Sequence, residues 1–430
     1  MINIKFKVDM KFLIAAMIAL IFSLINYNSI KNYYNMTLPK FIPNKVNFEE
    51  KLKKENINAQ ENSQNAQENS DTSSKLKLNA LAALLLDAEN DRVLFEVNGY
   101  KELPMASTTK IMTCIIALEK GKMDDVVNIS SYAASMPDVQ LNIREGEQYY
   151  LKDLLYALML ESHNDVAVAI AEHIGGSVEG FATMMNDKAR SLNCNNTNFV
   201  TPSGLDAEGH YTTARDLAVI ASYAIKNKDF IAITNTASHQ FKELKYGRSF
   251  SVTNKNKFLY MMDGAIGVKT GFTGKAGYCF VGAIKRPDRT LVSVVLGCGW
   301  PPNKNLKWTE TKRIMTYGLE NFEKKQIFED KKFNPVYVED GQTEFVGLKI
   351  SGDLNLLLGK DEKVHIEYNL PEYLTAPVIK GQQVGSAKYY INGNLYTEIP
   401  IYTTDESKKI DFNFCLIKII KLWSLQYDKK

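Results

Sequence analysis

The stretch Pro104-Met105-Ala106-Ser107-Thr108-Thr109-Lys110-Ile111-Met112-Thr113 leaves this part of the chain little choice. Pro104 disfavours a helix arriving from upstream. Beyond it, Ile111, Cys114, Ile115 and Leu118 recur at the spacing of a buried helical face. The pattern predicts a buried helix starting near Ser107. Three positions separate Ser107 from Lys110, so hydroxyl and amine share one face of its first turn and can meet. A helix N-terminus also presents unpaired backbone N–H groups and the positive end of the dipole, which favour a developing oxyanion. The arrangement suits acyl transfer, with Ser107 as nucleophile and Lys110 as its base. Taken alone, Ser-x-x-Lys is short and common, and in most proteins it is a helix cap followed by a solvated lysine, so the rest of the chain has to decide.

Several chemistries are excluded early. The chain has 430 residues and a formal net charge of +3. Lysines and acids are interspersed outside the termini and no basic run is interleaved with aromatics, so no nucleic acid is expected as a partner. Cys114, Cys194, Cys279, Cys298 and Cys415 show no Cys-x-x-Cys spacing. They read as free buried thiols, Cys279 and Cys298 being the one pair that paired strands can set face to face. The five histidines form no ligand group, so no metal is expected. No cofactor is called for, and hydrolysis has to rely on side chains.

Lys5, Lys7 and Lys11 precede the apolar run Phe12 to Ile25, the pattern of an export signal. Residues 1–30 are therefore expected to be an export signal or a signal anchor. No small-x-small cleavage site follows, and the run is short for a full span. Residues 31–76 form a polar linker, with Asn-Ala-Gln-Glu-Asn-Ser at 58–63 and again at 65–70. So few apolar groups predict a disordered tether.

A globular body begins near Lys77. Ala80 to Leu86 is an apolar run, Asp87 to Asp91 supplies a turn, and Arg92 to Val97 returns, which predicts a hairpin leading into the Ser107 helix. Leu151, Leu154, Leu155 and Leu158 mark a helix that breaks at Glu161-Ser162-His163-Asn164-Asp165, and a second helix runs from Val166 to Ile174. Ser162 and Asn164 then stand at a junction where side chains can point into a cleft, although on local grounds ordinary capping is the better account of them. Thr201 to Leu205 reads as a turn, and Thr212-Thr213-Ala214 opens a helix through Ala224. Gly267-Val268-Lys269-Thr270-Gly271-Phe272-Thr273-Gly274 precedes two strands, Gly277 to Lys285 and Thr290 to Leu296. Glycines beside Lys269 and Thr270 let a substrate backbone lie against that edge; an exposed lysine in a glycine turn is the alternative.

Ser-x-x-Lys on a helix, Ser-x-Asn between helices and Lys-Thr-Gly on a strand occur in the order found in penicillin-binding proteins and β-lactamases. From about Leu78 to Pro400 the sequence resembles the low-molecular-mass penicillin-binding proteins that are serine-type D-alanyl-D-alanine carboxypeptidases. The resemblance includes Asn254, Asn256, the Lys-Thr-Gly-Phe-Thr stretch, Ala276-Gly277-Tyr278 and Val294 to Gly297. It implies an α/β (α+β) fold: a β-lactamase/transpeptidase-like catalytic domain at 77–328, with an antiparallel sheet and a helical subdomain, and a small C-terminal β domain at 335–404. It implies that Ser107, Lys110, Ser162 and Asn164 are catalytic. Lys269, Thr270, Gly271, Phe272 and Thr273 would bind substrate, with the oxyanion between the N–H groups of Ser107 and Phe272. The implied reaction removes the terminal D-alanine from peptidoglycan stem pentapeptides through an acyl-enzyme, with β-lactam antibiotics as covalent inhibitors. A class A-like β-lactamase and a catalytically idle wall-binding scaffold are the alternatives. The chain departs from the family at His163, where a small residue is frequent, and at Thr212. The family's basic residue near the substrate carboxylate has Lys255 as its candidate.

Gly381-Gln382-Gln383-Val384-Gly385 resembles a turn of the family's β domain. In the tail, 408–430, Phe412, Leu416, Ile419, Ile420, Trp423 and Tyr427 share one helical face, away from Lys418 and Lys421. It reads as an interfacial helix on the extracytoplasmic face of the cell membrane, or as one docked on the protein itself.

Overall fold

The computed structural model describes residues 76–427, with side chains to residue 421. The export-signal reading and nearly all of the linker lie outside the described residues. The body is organised on five strands: β1 (Ala82–Asp87), β2 (Arg92–Val97), β3 (Ala265–Thr273), β4 (Gly277–Arg286) and β5 (Arg289–Leu296). They lie in the order β2-β1-β5-β4-β3, antiparallel throughout. The β1 sequence is apolar at nearly every position because both faces of the sheet are covered. Ala82, Leu84 and Leu86 enter the larger core, while Ala83 and Leu85 enter a second one behind it.

Among the helices that supply the larger core are α1 (Lys110–Lys120), α2 (Leu151–Leu160), α3 (Asn164–Gly175) and α4 (Ala214–Ala224). On the opposite face α5 (Leu306–Asn321) presents Trp308, Ile314 and Met315 to β1, β4 and β5. The hairpin, both helix pairings and the two closing strands follow the sequence pattern closely. One start differs in a useful way. Ala106–Thr109 is a 3-10 turn and α1 begins only at Lys110. In a 3-10 turn residues i and i+3 eclipse, so Lys110 is stacked over Ser107 more directly than in an α-helix.

The C-terminal part is β-rich. Phe322–Gln326 pairs with Asn355–Gly359, and a four-stranded and a three-stranded sheet follow. Asn90 donates to the carbonyl of Asn355 at 3.0 Å, and Arg92 bonds both Glu362 and the carbonyl of Leu357, tying this domain to the β1–β2 hairpin. The last helix, α6 (Phe412–Tyr427), leaves Phe412, Leu416, Ile417, Ile419 and Ile420 exposed. No helix among the described residues is long and apolar enough to cross a membrane.

Candidate active site

Lys110 is fully buried, yet its stem starts in the first turn of α1 directly beside Ser107. Its Nζ lies 3.1 Å from Ser107 Oγ, 2.7 Å from Asn164 Oδ1 and 2.6 Å from the carbonyl oxygen of Ser203. Two of these three neighbours can only accept. A neutral amine has two N–H bonds to give, so donating to Asn164 and Ser203 aims its lone pair at the Ser107 hydroxyl. Burial holds the Lys110 pKa well below the ordinary lysine range, and the charge of Lys269 pushes it the same way, against a smaller opposing effect of Asp165. The amine therefore has both the geometry and the electrostatics of a base.

Asn164 opens α3, and its orientation is fixed from behind. Its Nδ2 donates to the carbonyls of Pro137 and Asp138 at 3.3 and 3.2 Å, which leaves Oδ1 facing Lys110. Asp165 next to it accepts from the N–H groups of Leu141, Asn142 and Ile143, pinning the 137–143 loop over this corner. Ser162 occupies the turn between α2 and α3 with φ at 74°, a conformation that costs a non-glycine residue about 1 kcal/mol. Its Oγ is buried with no hydrogen-bond partner among the described residues. A strained backbone and an unpaired hydroxyl at one residue are features that packing alone does not favour. His163 is buried with Nε2 3.4 Å from Glu161.

The third wall is β3, at the edge of the sheet. A Cβ on Gly271 would lie 2.9 Å from the backbone nitrogen of Ser107 and 3.0 Å from that of Thr108, so only glycine lets this strand approach the serine turn so closely. Lys269 is buried, its Nζ donating to the carbonyl of Thr270 at 3.0 Å, and burial pushes its pKa down to about 7. Thr270 is half-buried on the same strand. Phe272 is 43% exposed and packs on Tyr278, with ring centroids 4.6 Å apart. Thr273 donates to Asp206 at 2.8 Å. Lys255 stands at the rim, its side chain 64% exposed and its Nζ 2.9 Å from Glu161.

Ser107, Lys110 and Asn164 thus form one hydrogen-bonded group, with Lys269 close enough to act on Lys110 and Ser162 in the adjoining turn. Sequence reasoning missed Ser203 and Asp165. Ser203 takes part through its carbonyl, which every residue possesses, so no residue type announces it. Asp165 directly follows Asn164, and a carboxylate at a helix start preceded by a loop is a signal for backbone N–H capture that was there to read. Cys114, Cys194, Cys279 and Cys298 are free and buried, whereas Cys415, on α6, is free and only half-buried.

The α/β body with an antiparallel sheet between helical layers, followed by a β-rich domain, is the transpeptidase-like architecture of penicillin-binding proteins. A family model described as D-alanyl-D-alanine carboxypeptidase matches residues 67–299, and one described as penicillin-binding protein 5, C-terminal domain, matches residues 322–409. The chain is 32% identical over 368 residues to the D-alanyl-D-alanine carboxypeptidase DacF of Bacillus subtilis, covering 84% of this chain and 94% of that protein. It is 30% identical over 351 residues to DacC of Escherichia coli, covering 78% and 86%. Penicillin-binding protein 5 from Haemophilus influenzae has a solved structure that matches with a TM-score of 0.66 at 28% identity, over 78% of this chain and 99% of that one. The chain belongs to the D-alanyl-D-alanine carboxypeptidase family, as a serine-type enzyme of the penicillin-binding protein 5 kind.

Proposed function

We propose that the enzyme removes the terminal D-alanine from peptidoglycan stem pentapeptides through an ester on Ser107, and that it does so on the extracytoplasmic side of the membrane. Lys110 accepts the Ser107 proton as Oγ bonds to the carbonyl carbon of the penultimate D-alanine. The oxyanion is held by the N–H groups of Ser107 and Phe272. The C–N bond then breaks, and the proton passes from Lys110 through Ser162 to the leaving amine of D-alanine. Water next attacks the ester with Lys110 again as base, releasing the shortened peptide and restoring the Ser107 hydroxyl. Lys269 and Thr270 meet the terminal carboxylate, with Gly271 letting the peptide backbone lie against β3 and Thr273 and Lys255 as outer contacts.

The observation that carries this reading is the buried Lys110 amine, with two acceptors fixing its protons and Ser107 3.1 Å away. β-Lactams enter by the same attack, their ring carbonyl taking the place of the peptide carbonyl. The apolar residues left exposed on α6 support attachment to a membrane surface rather than docking on the protein. A labelled penicillin, followed by peptide mapping, tests the assignment. The label is expected on Ser107 and absent from Ser107→Ala; labelling that survives this substitution places the nucleophile elsewhere.

A further inference from the structure

His210 plays no part in the reaction just described, and its ring bonds to Thr109, Val200 and Thr201 rather than to Ser107, Lys110 or Ser162. It is buried, 6% exposed, and both its ring nitrogens are engaged. The backbone N–H of Val200 points at Nδ1 from 3.0 Å and that of Thr201 from 3.5 Å. Backbone N–H groups can only donate, so Nδ1 is the acceptor and the ring proton sits on Nε2. Nε2 lies 2.9 Å from Thr109 Oγ1 and therefore donates to it. The Thr109 hydroxyl passes its own proton on, donating at 2.8 Å to the carbonyl of Ala106. That carbonyl belongs to the peptide unit whose N–H is the Ser107 N–H. Ala106 itself is held at φ 47°, which an alanine does not adopt without support.

The other end of the same imidazole orders the loop that holds the base. Val200 and Thr201 lead into Pro202, whose carbonyl accepts from Thr113 Oγ1 at 2.6 Å, and into Ser203, whose carbonyl accepts from Lys110. Gly204 closes the loop against Ala106, since a Cβ there would lie 2.0 Å from the Ala106 carbonyl oxygen. One ring thus spans the two pieces of backbone that must keep register: the turn presenting the oxyanion donor and the loop orienting the lysine.

We propose that His210 is a positioning residue for acyl transfer: through Thr109 it fixes and polarises the Ala106–Ser107 peptide, aiming the Ser107 N–H at the developing oxyanion, while its Nδ1 holds the Ser203 loop on Lys110. The chain His210 Nε2–H to Thr109 O–H to Ala106 C=O runs in one direction, so each donor strengthens the next and the peptide N–H at its end becomes a better donor. Burial holds the ring neutral, with its pKa pushed down to about 4 against the opposing charge of Asp206. A protonated Nδ1 would meet two N–H groups and lose both. The inference rests on Ser107 being the nucleophile.

The test uses the full chain, a penicillin carrying 13C at the ring carbonyl, and the variants His210→Leu, His210→Gln and Thr109→Val. Loss of a whole oxyanion donor costs about a hundredfold to a thousandfold, so a misaimed one is expected to slow acylation at saturation by about tenfold to a hundredfold in His210→Leu. Its half-saturating concentration is expected to stay within about twofold, because the effect belongs to the transition state. The infrared carbonyl band of the acyl-enzyme is expected at higher frequency in His210→Leu and Thr109→Val than in the wild type. His210→Gln keeps an N–H for Thr109 and is expected to restore most of the rate and the band. A merely structural histidine predicts lower thermal stability with an unchanged band and an unchanged rate per folded molecule, and that result overturns the proposal. If His210→Leu does not fold, Thr109→Val carries the same comparison. If the wild-type label is not on Ser107, the reading of the site fails; if it is on Ser107 and the variants match the wild type, only the role of His210 does.

Discussion

A lysine amine in water keeps its proton far above neutral pH, and Lys110 departs from that by being sealed among acceptors and close to a second buried amine. Arginine in its place keeps a charge nearby but holds its proton throughout the physiological range. Lys110→Arg is therefore expected to slow penicillin acylation by about 10²- to 10⁴-fold, the usual share of a general base, with circular dichroism checking that the fold survives. Lys269 titrates near the working range. With its pKa at about 7, it loses its positive charge as pH rises above that value. The falling limb of kcat/KM above about pH 7 is expected for a peptide with a free terminal carboxylate and absent for a neutral ester analogue. An equal fall for both substrates would take the carboxylate away from Lys269. His210 sets an acid limit on stability. Its pKa in the fold, about 4, lies below the ordinary 6.5, so between these values the unfolded chain binds the proton first. Folding stability from this group is present above pH 6.5 and falls as pH drops to 4, by about 3 kcal/mol in all. Denaturant titrations at pH 7, 5 and 4 are expected to show this loss in the wild type and to lack it in His210→Gln.

The elements around the site meet through glycines and carbonyls more than through side chains. Gly271→Ala puts a methyl group about 3 Å from the Ser107 and Thr108 nitrogens, so β3 and the serine turn have to part. It is expected to cut acylation by at least about tenfold while lowering stability by about 1–3 kcal/mol, the usual cost of overpacking. Acylation at wild-type rate would show that β3 is not one wall of the oxyanion site. This is also where the sequence stops being readable. The doubly buried β1, the hairpin, α2 and α3, and the pair β4 and β5 follow from apolar period and turn residues, because burial is written in residue type. Ser107, Lys110, Asn164 and Lys269 were legible as motifs, and the structure sets Lys110 within hydrogen-bond distance of both Ser107 and Asn164, with the Lys269 charge acting on Lys110. The 3-10 turn under Ser107 was not, since helical and 3-10 residues differ by a fraction of a turn and share the same apolar spacing. Nor was the Ser203 carbonyl or the His210 chain, because long-range backbone acceptors leave no pattern in sequence.

At the scale of the whole molecule the catalytic body hands its last helix directly to the β-rich domain, and that domain in turn carries α6. Residues up to Ile410 belong to the β domain: Gln342 bonds the carbonyls of Lys408 and Lys409, and Ile410 donates to the carbonyl of Asp340 at 2.8 Å. A truncation that spares them, removing 412–430, is expected to abolish sedimentation with anionic lipid vesicles while leaving hydrolysis of a soluble peptide within about twofold of the full chain, since the residues of the site lie on other elements. Undiminished vesicle binding would assign attachment to another part of the chain. The acyl-enzyme itself is common to several outcomes, and the acceptor that resolves it decides the reaction. Mass spectrometry of the purified enzyme incubated with a stem pentapeptide ending in D-Ala-D-Ala is therefore the most direct measurement. The account predicts one D-alanine released per tetrapeptide formed, abolished in Ser107→Ala. Cross-linked peptide dimers as the main product, or penicillin turnover much faster than D-alanine release, would contradict it.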